Sequence, residues 1–338
     1  MVRERKKLKE AESGNSDQAN YLAGEKPNLS FISTGCTILD CALGGGLPLG
    51  RIANIVGDKS TAKTALATEV LINFVRSYPD GVAAYRDAEW AFDREYAASM
   101  GMTVDKIDFG SNPVETVEDF ARDLENFLDA RIKQGNPGVY VLDSLDALSD
   151  ESEIEQEIGK ATYGTQKAKS LSILFRKLKG KIASGNVLLL IVTQVRDNIG
   201  VAFGERHKRS GGRALDFYAS QIFWTSHLGF LKKTIKKVER PYGINIRAKI
   251  KKNKIGLVGR EAEFQFHFGY GIEDVLASCA WLSETKHMDK AEYDSIVGSL
   301  ESISAGDYAA LQQSLAQRVK EVWREVETSF LPSRRKYA

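Results

Sequence analysis

Short runs of near-continuous apolar residues alternate along the chain with longer segments whose apolar positions fall three or four apart. Ala53, Asn54, Ile55 and Val56, closed by Gly57, predict a buried strand; Leu66, Val70 and Phe74 predict a helix over 65–75. A short strand over 81–86, a helix over 117–132, a strand over 139–142 and the most apolar stretch, VLLLIVT at 187–193, continue the alternation. Strands of this kind are buried on both faces, so the pattern predicts an α/β fold with a mostly parallel sheet flanked by helices. Beyond Gly271 the pattern changes. Leu311, Leu315, Val319, Val322, Val326 and Phe330 follow 3/4 spacing, a long helix with one apolar stripe that serves as core or as a docking face. The reading is a main core over 31–270 and a small helical C-terminal domain over 271–338. Before them, residues 1–30 divide into a short charged helix at 2–12 and a polar linker.

Composition narrows the class. Of 338 residues, 43% are hydrophobic and 27% charged, which excludes a wholly disordered chain. No run approaches the ~18 consecutive apolar residues of a membrane helix, and the charged start lacks the apolar stretch of a secretory signal. Three cysteines without a CxxC spacing give neither a disulfide framework nor a zinc site. A reduced, intracellular protein is expected.

Forty-seven basic against 45 acidic residues leave a net charge of only +2, so charge matters locally. Ten basic residues fall between Lys232 and Lys254, and within that stretch only Glu239 opposes them. A second cluster, Arg206, His207, Lys208, Arg209 and Arg213, flanks Gly211 and Gly212. Either is a solvated surface or a face for a polyanion.

The sharpest chemical signal is Gly57-Asp58-Lys59-Ser60-Thr61-Ala62-Lys63-Thr64, which follows a predicted strand and opens a predicted helix, the context of a phosphate-binding P-loop. Backbone N–H groups and the helix N-terminus would cradle phosphates, Lys63 would add a point charge, and the Thr64 hydroxyl would ligate Mg²⁺. Ala62 replaces the glycine usual before the lysine. Alanine costs roughly 1–2 kcal/mol if that position needs positive φ and almost nothing if it is already helical; the second alternative is favoured. Asp143, ending the apolar strand at 139–142, suits a carboxylate that supports the metal, or one that caps a following helix. Glu89 is placed to polarise an attacking water, or is a surface carboxylate.

These motifs do not stand alone. STGCTILDCALGGGLPLGRI (33–52), the P-loop, YRDAEWAFDREYA (85–97), VYVLDSLDAL (139–148), SEIEQEIGKATYG (152–164), VTQVRDNIGVAFGERHKRSGGRALDFYAS (192–220), RAKIKKNKIG (247–256) and AEFQFHFGYGI (262–272) occur in order. Over this span the chain resembles the RecA/RadA recombinase family, in particular its RecA branch and phage relatives. The resemblance implies a RecA-like P-loop core, with ATP and Mg²⁺ held by the P-loop, Thr64 and Asp143. It makes Glu89 the activator of water, Gln194 the sensor of the γ-phosphate, and Asp93 and Tyr96 the contacts to adenine. Lys252 and Lys254 would reach the γ-phosphate of an adjacent subunit, so hydrolysis would require a filament. Segments 156–165 and 195–212 would bind DNA. Arg196, Arg206, Lys208, Arg209, Arg213 and the backbone at Gly211 and Gly212 would hold its phosphates, while Ile199, Val201 and Phe203 would wedge between bases or tuck into a neighbouring subunit.

The function so implied is a DNA-dependent ATPase of the cytoplasm, in a bacterial cell or phage-infected host. It would form helical filaments on single-stranded DNA and exchange strands with duplex. Two alternatives are a RecA-fold regulatory or scaffold ATPase without strand exchange, and a DNA-binding filament protein whose hydrolysis is crippled at Ala62. The two retained loops favour the first reading. Asp216 stands where relatives carry lysine and Lys59 where they carry glutamate. The basic 206–209 stretch implies tighter phosphate contact, and the absent acidic tail, the short C-terminal domain and the altered P-loop favour a phage or plasmid member.

Overall fold

The apolar runs form the inner strands of one large twisted sheet. A computed structural model describes residues 29–150, 165–197, 207–209 and 212–334. Its elements are β1 (Phe31–Ile32), α1 (Thr37–Leu43), β2 (Leu47–Pro48), β3 (Ile52–Gly57), α2 (Lys63–Ser77), β4 (Val82–Asp87), α3 (Arg94–Ser99), β5 (Ile107–Asp108), α4 (Val117–Gln134) and β6 (Gly138–Asp143). They continue with α5 (Thr165–Ser184), β7 (Val187–Asp197), β8 (His207–Arg209), α6 (Gly212–Tyr218), β9 (Gln221–Ile235), β10 (Val238–Asn253), β11 (Glu261–His267) and β12 (Gly271–Ile272). Three helices follow, α7 (Asp274–Glu284), α8 (Lys290–Ser299) and α9 (Ala305–Ser329).

The sheet order is β12-β11-β10-β9-β3-β7-β6-β4-β5. Its centre is parallel, as predicted: β3 lies between β7 and β9, and β6 between β7 and β4. Successive residues of a strand point to opposite faces, and both faces are covered. Val139, Val141, Leu188, Leu190 and Val192 pack with Leu66, Val70 and Phe74 of α2 on one side. Tyr140, Leu142, Leu189 and Ile191 pack with Phe120 and Leu124 of α4 and Leu171 and Phe175 of α5 on the other. Helix α4 starts at a capping box between Thr116 and Asp119 and stops at Gly135, which takes the left-handed conformation at φ 71°.

Two findings modify the sequence reading. Half of the sheet, β9 to β12, is antiparallel and was hidden by the basic run. Along β10, Ile244, Ile246, Ala248 and Ile250 are buried while Arg247 and Lys249 face outward, so the charges are one face of a period-two strand. Glu261 and Glu263 on β11 pair with Lys249 and Arg247, and Glu301 with Lys233, so acidic partners come from beyond the run itself. The C-terminal helices also join the first core cluster through Val275, Leu282, Leu315, Val319 and Val322. The predicted stripe ends before Phe330, which lies past the last helical residue and is 76% exposed. Among the described residues no helix is long and apolar enough to cross a membrane.

Candidate active site

The C-terminal ends of β3, β4, β6 and β7 converge on one edge of the sheet, where parallel α/β folds place their ligands. Gly57 closes β3 between Thr225 of β9 and Gln194 of β7. A Cβ on Gly57 would lie 2.3 Å from Thr225 Oγ1 and 2.4 Å from Thr61 Oγ1, so only glycine fits. Those two hydroxyls bond each other at 2.9 Å, and Thr61 also donates to the Asp58 carbonyl. Helix α2 then begins without a side-chain cap. Its first-turn N–H groups have no intrahelical acceptor, which suits this end to an anion.

Ala62 is the N-cap of α2 with φ 56° and ψ 30°. It is left-handed, and the expectation of a helical φ here is corrected. The chain leaves β3 and turns sharply into α2, with Ser60 also at φ 58°, so the turn imposes positive φ whatever residue occupies it.

Behind the loop, Thr64 Oγ1 donates to Asp143 Oδ2 at 2.6 Å and Tyr85 donates to the same oxygen at 2.8 Å. Burial raises the Asp143 carboxyl above its usual range, and these two hydrogen bonds oppose the rise. Lys63 donates to the Asp58 carbonyl at 2.6 Å, and burial lowers its ammonium against the pull of Asp143 and Glu89. The Thr64–Asp143 pair offers two hard oxygen donors side by side at the foot of the anion site, which fits Mg²⁺.

Glu89 sits just past β4. Its Oε1 accepts from Gln194 Nε2 at 2.8 Å and from the Ser144 hydroxyl. Asp93 caps α3 by accepting the Tyr96 N–H at 2.9 Å. The cleft lined by Lys63, Thr64, Glu89, Asp93, Asp143 and Gln194 has a volume of about 570 Å³. Its lining also includes Tyr96, Phe230, Ile244, Phe266 and Phe268, an aromatic and apolar set. Sequence reasoning missed Tyr85 and Ser144, as well as Phe230, Ile244, Phe266 and Phe268. The alternation in AEFQFHFG was the available signal for the last two.

A larger hollow of about 710 Å³ lies elsewhere, between α1, α2 and α9. Its buried carboxylates are committed to the fold: Asp40 accepts from Ser33 and Thr34, and Asp274 from Thr37 and Gln312. It joins the C-terminal helices to the core.

The remaining predicted residues are dispersed. Lys252 donates to the Asp216 and Phe217 carbonyls and Lys254 to that of Phe217, at the end of α6, and neither lines the cleft. Val195, Arg196 and Asp197 pair with Arg209, Lys208 and His207, so the predicted loop is in part a β-hairpin. For Arg196, Lys208, Arg209, Gly212 and Arg213 the backbone alone is described. Ile199, Val201, Phe203, Arg206 and Gly211, residues 1–28 and nearly all of 156–165 lie outside the described residues.

Residues 7–273 match the family model of the RecA N-terminal domain. Protein RecA of Clostridium acetobutylicum is 36% identical over 246 residues, covering 72% of this chain and 67% of that protein. Protein RecA of Crocosphaera subtropica is 37% identical over 246 residues, covering 71% of this chain and 66% of that protein. The chain thus aligns with about two thirds of the length of these relatives.

Proposed function

The chain belongs to the RecA family, and from that premise we propose that it is an ATP-dependent DNA recombinase. It assembles as a filament on single-stranded DNA, pairs it with duplex and exchanges strands. The observation that carries the ATPase half is the cluster of Lys63, Thr64, Asp143, Glu89 and Gln194 around one uncapped helix N-terminus.

Triphosphate oxygens take the N–H groups of the P-loop, and the Lys63 ammonium turns from the Asp58 carbonyl toward them. Thr64 and Asp143 would hold Mg²⁺, which would supply positive charge against the triphosphate. Tyr85 keeps Asp143 oriented through its hydroxyl. Glu89, gripped by Ser144 and Gln194, orients the attacking water and accepts its proton. Adenine enters the slot formed by Tyr96, Phe230, Phe266 and Phe268, beside Asp93. Because Lys252 and Lys254 stand away from their own cleft, their cations serve the γ-phosphate of a neighbouring protomer, which ties hydrolysis to assembly.

Gln194 supports the link to DNA. It bonds Glu89 and is followed within one residue by the β7–β8 hairpin that frames residues 198–206. Arg196, Arg206, Lys208, Arg209 and Arg213 hold DNA phosphates, and Ile199, Val201 and Phe203 separate bases. Watson–Crick pairing supplies sequence specificity.

The test is ATP hydrolysis with and without long single-stranded DNA at fixed salt, beside Lys63→Ala, followed by a strand-exchange assay. DNA-stimulated turnover that Lys63→Ala abolishes is expected. Turnover indifferent to DNA would instead favour a regulatory ATPase of the same fold.

A further inference from the structure

A polar cluster outside the cleft ties together the elements that carry Glu89 and Gln194. The turn after β6, residues 144–148, is docked on β7 by the Leu145 N–H, which donates to the Val192 carbonyl at 3.0 Å. Lys167, in the first turn of α5, points its ammonium into this turn. It donates to the carbonyls of Leu145 at 2.9 Å, Asp146 at 3.5 Å and Leu148. Asp146 in the same turn accepts the backbone N–H of Gln194 through Oδ2 at 2.6 Å. The turn begins with Ser144, whose hydroxyl meets Glu89 Oε1, the oxygen that also accepts from Gln194. Turn and strand thus meet at a single carboxylate oxygen, and the helix holds the turn.

An ammonium has three donors and no acceptor, and here it gathers carbonyl oxygens that would otherwise repel one another. Without it the turn loses its fixed shape. Without the Asp146 carboxylate the end of β7 loses the bond that sets its height beside Glu89. Misplacement of a water-orienting group by about 1 Å costs on the order of 100-fold in rate.

We propose that Lys167 and Asp146 are positioning residues for hydrolysis, setting where Ser144 and Gln194 hold Glu89. This rests on the reading of Glu89 as the group that orients the attacking water. Neither residue lines the nucleotide cleft, so nucleotide affinity does not depend on them. Their places in the chain add a consequence. Lys167 heads the helix that follows residues 151–164, and Asp146 grips the strand that leads into 198–206. The clamp therefore joins the support of Glu89 to the two elements that border those segments.

The experiment uses the full chain and measures ATP hydrolysis over a range of ATP, with and without long single-stranded DNA at one salt concentration. Lys167→Met and Asp146→Ala are expected to lower the DNA-stimulated kcat at least tenfold, with KM for ATP changed less than twofold. DNA affinity in a non-hydrolysable ATP analogue should stay within twofold. Asp146→Asn keeps an acceptor for the Gln194 N–H and should retain at least half of kcat. Wild-type kcat in both Lys167→Met and Asp146→Ala overturns the clamp, as does an Asp146→Asn variant no better than Asp146→Ala. If thermal denaturation shows Lys167→Met to be unfolded, the two Asp146 variants decide. Equal turnover with and without DNA in the unsubstituted chain, read first, refutes the functional reading and the clamp with it.

Discussion

Replacing Gly57 by alanine should destabilise the chain by about 2–4 kcal/mol, because the new methyl would enter the space where Thr61 and Thr225 meet. It would sit 2.3 Å from Thr225 Oγ1, 2.4 Å from Thr61 Oγ1 and 3.0 Å from the Thr225 carbonyl. Gly57 pairs with strands on both sides, so its backbone has little room to retreat. Overpacking of this kind costs about 1–3 kcal/mol. Separating the two hydroxyls, which bond at 2.9 Å, adds about 1 kcal/mol. Urea denaturation of dilute, nucleotide-free protein measures the sum; for a slope near 3 kcal/mol/M the midpoint should fall by about 1 M. Protein concentration must be matched, since assembly or ligand binding would move the midpoint by mass action. The cause is isolated by Thr225→Ala, which removes the nearest obstructing atom. Alone it should cost about 1 kcal/mol for the hydroxyl bonds it loses. Combined with Gly57→Ala it should cost less than the two single losses added, by about 1–2 kcal/mol. Strict additivity, or a Gly57→Ala midpoint equal to wild type, would refute the steric account.

Two further changes have signs set by the structure. Ala62→Gly should leave stability equal or raise it by up to about 1.5 kcal/mol, since relief of roughly 1–2 kcal/mol of left-handed strain is offset by about 0.4–1 kcal/mol of unfolded-state freedom. Ala62→Val should destabilise, because a β-branched residue tolerates positive φ worse; a gain on valine in the same denaturation series would contradict the assigned turn. Burial pushes the Glu69 carboxyl up to about 7 from 4.5, against the opposing bond from the Ile272 N–H. A raised folded pKa makes the native state bind the proton more tightly than the unfolded state. Its stabilisation is therefore full below about 4.5 and lost as pH rises through about 7. Glu69→Gln, which keeps an acceptor without the charge, should raise stability by roughly 3 kcal/mol at pH 8.5 and leave it nearly unchanged at pH 4.5. An equal effect at both values would remove the titration argument.

The parts of the fold legible in the sequence are those where one interaction dominates. Strands β3, β6 and β7 are buried on both faces, so their apolar runs admit no competing reading, and α2 and α4 follow from spacing alone. Strand β10 escaped because its buried residues alternate with Arg247, Lys249 and Lys251, and ten basic residues in one stretch drew attention to charge rather than period. The acidic partners of this face lie on the next strand, β11, outside the run itself. The left-handed φ of Ala62 was illegible for a different reason. It belongs to the path from β3 into α2, and alanine carries no signal of it.

The candidate site divides along the same line. Gly57, Lys63, Thr64, Glu89 and Asp143 were legible from the P-loop and the strand ends and Gln194 from the family resemblance, and they are neighbours because parallel strands deliver their C-terminal ends to one edge. The groups that aim them were not found, since a hydroxyl, an aspartate and a lysine are ordinary until distances are known. Tyr85 becomes an orienting residue only at 2.8 Å from Asp143, and Asp146 only at 2.6 Å from the Gln194 N–H. Motif spacing thus reports which atoms can react, while the hydrogen-bond geometry around them reports what sets the rate. Glu89 shows the second kind: Ser144 and Gln194 bond its Oε1, Asp146 holds the Gln194 N–H, and Lys167 holds the turn that carries Ser144. Of the groups that hold Glu89 in place, Gln194 alone carried a signal in the sequence, while Ser144, Asp146 and Lys167 are residues that a motif search passes over.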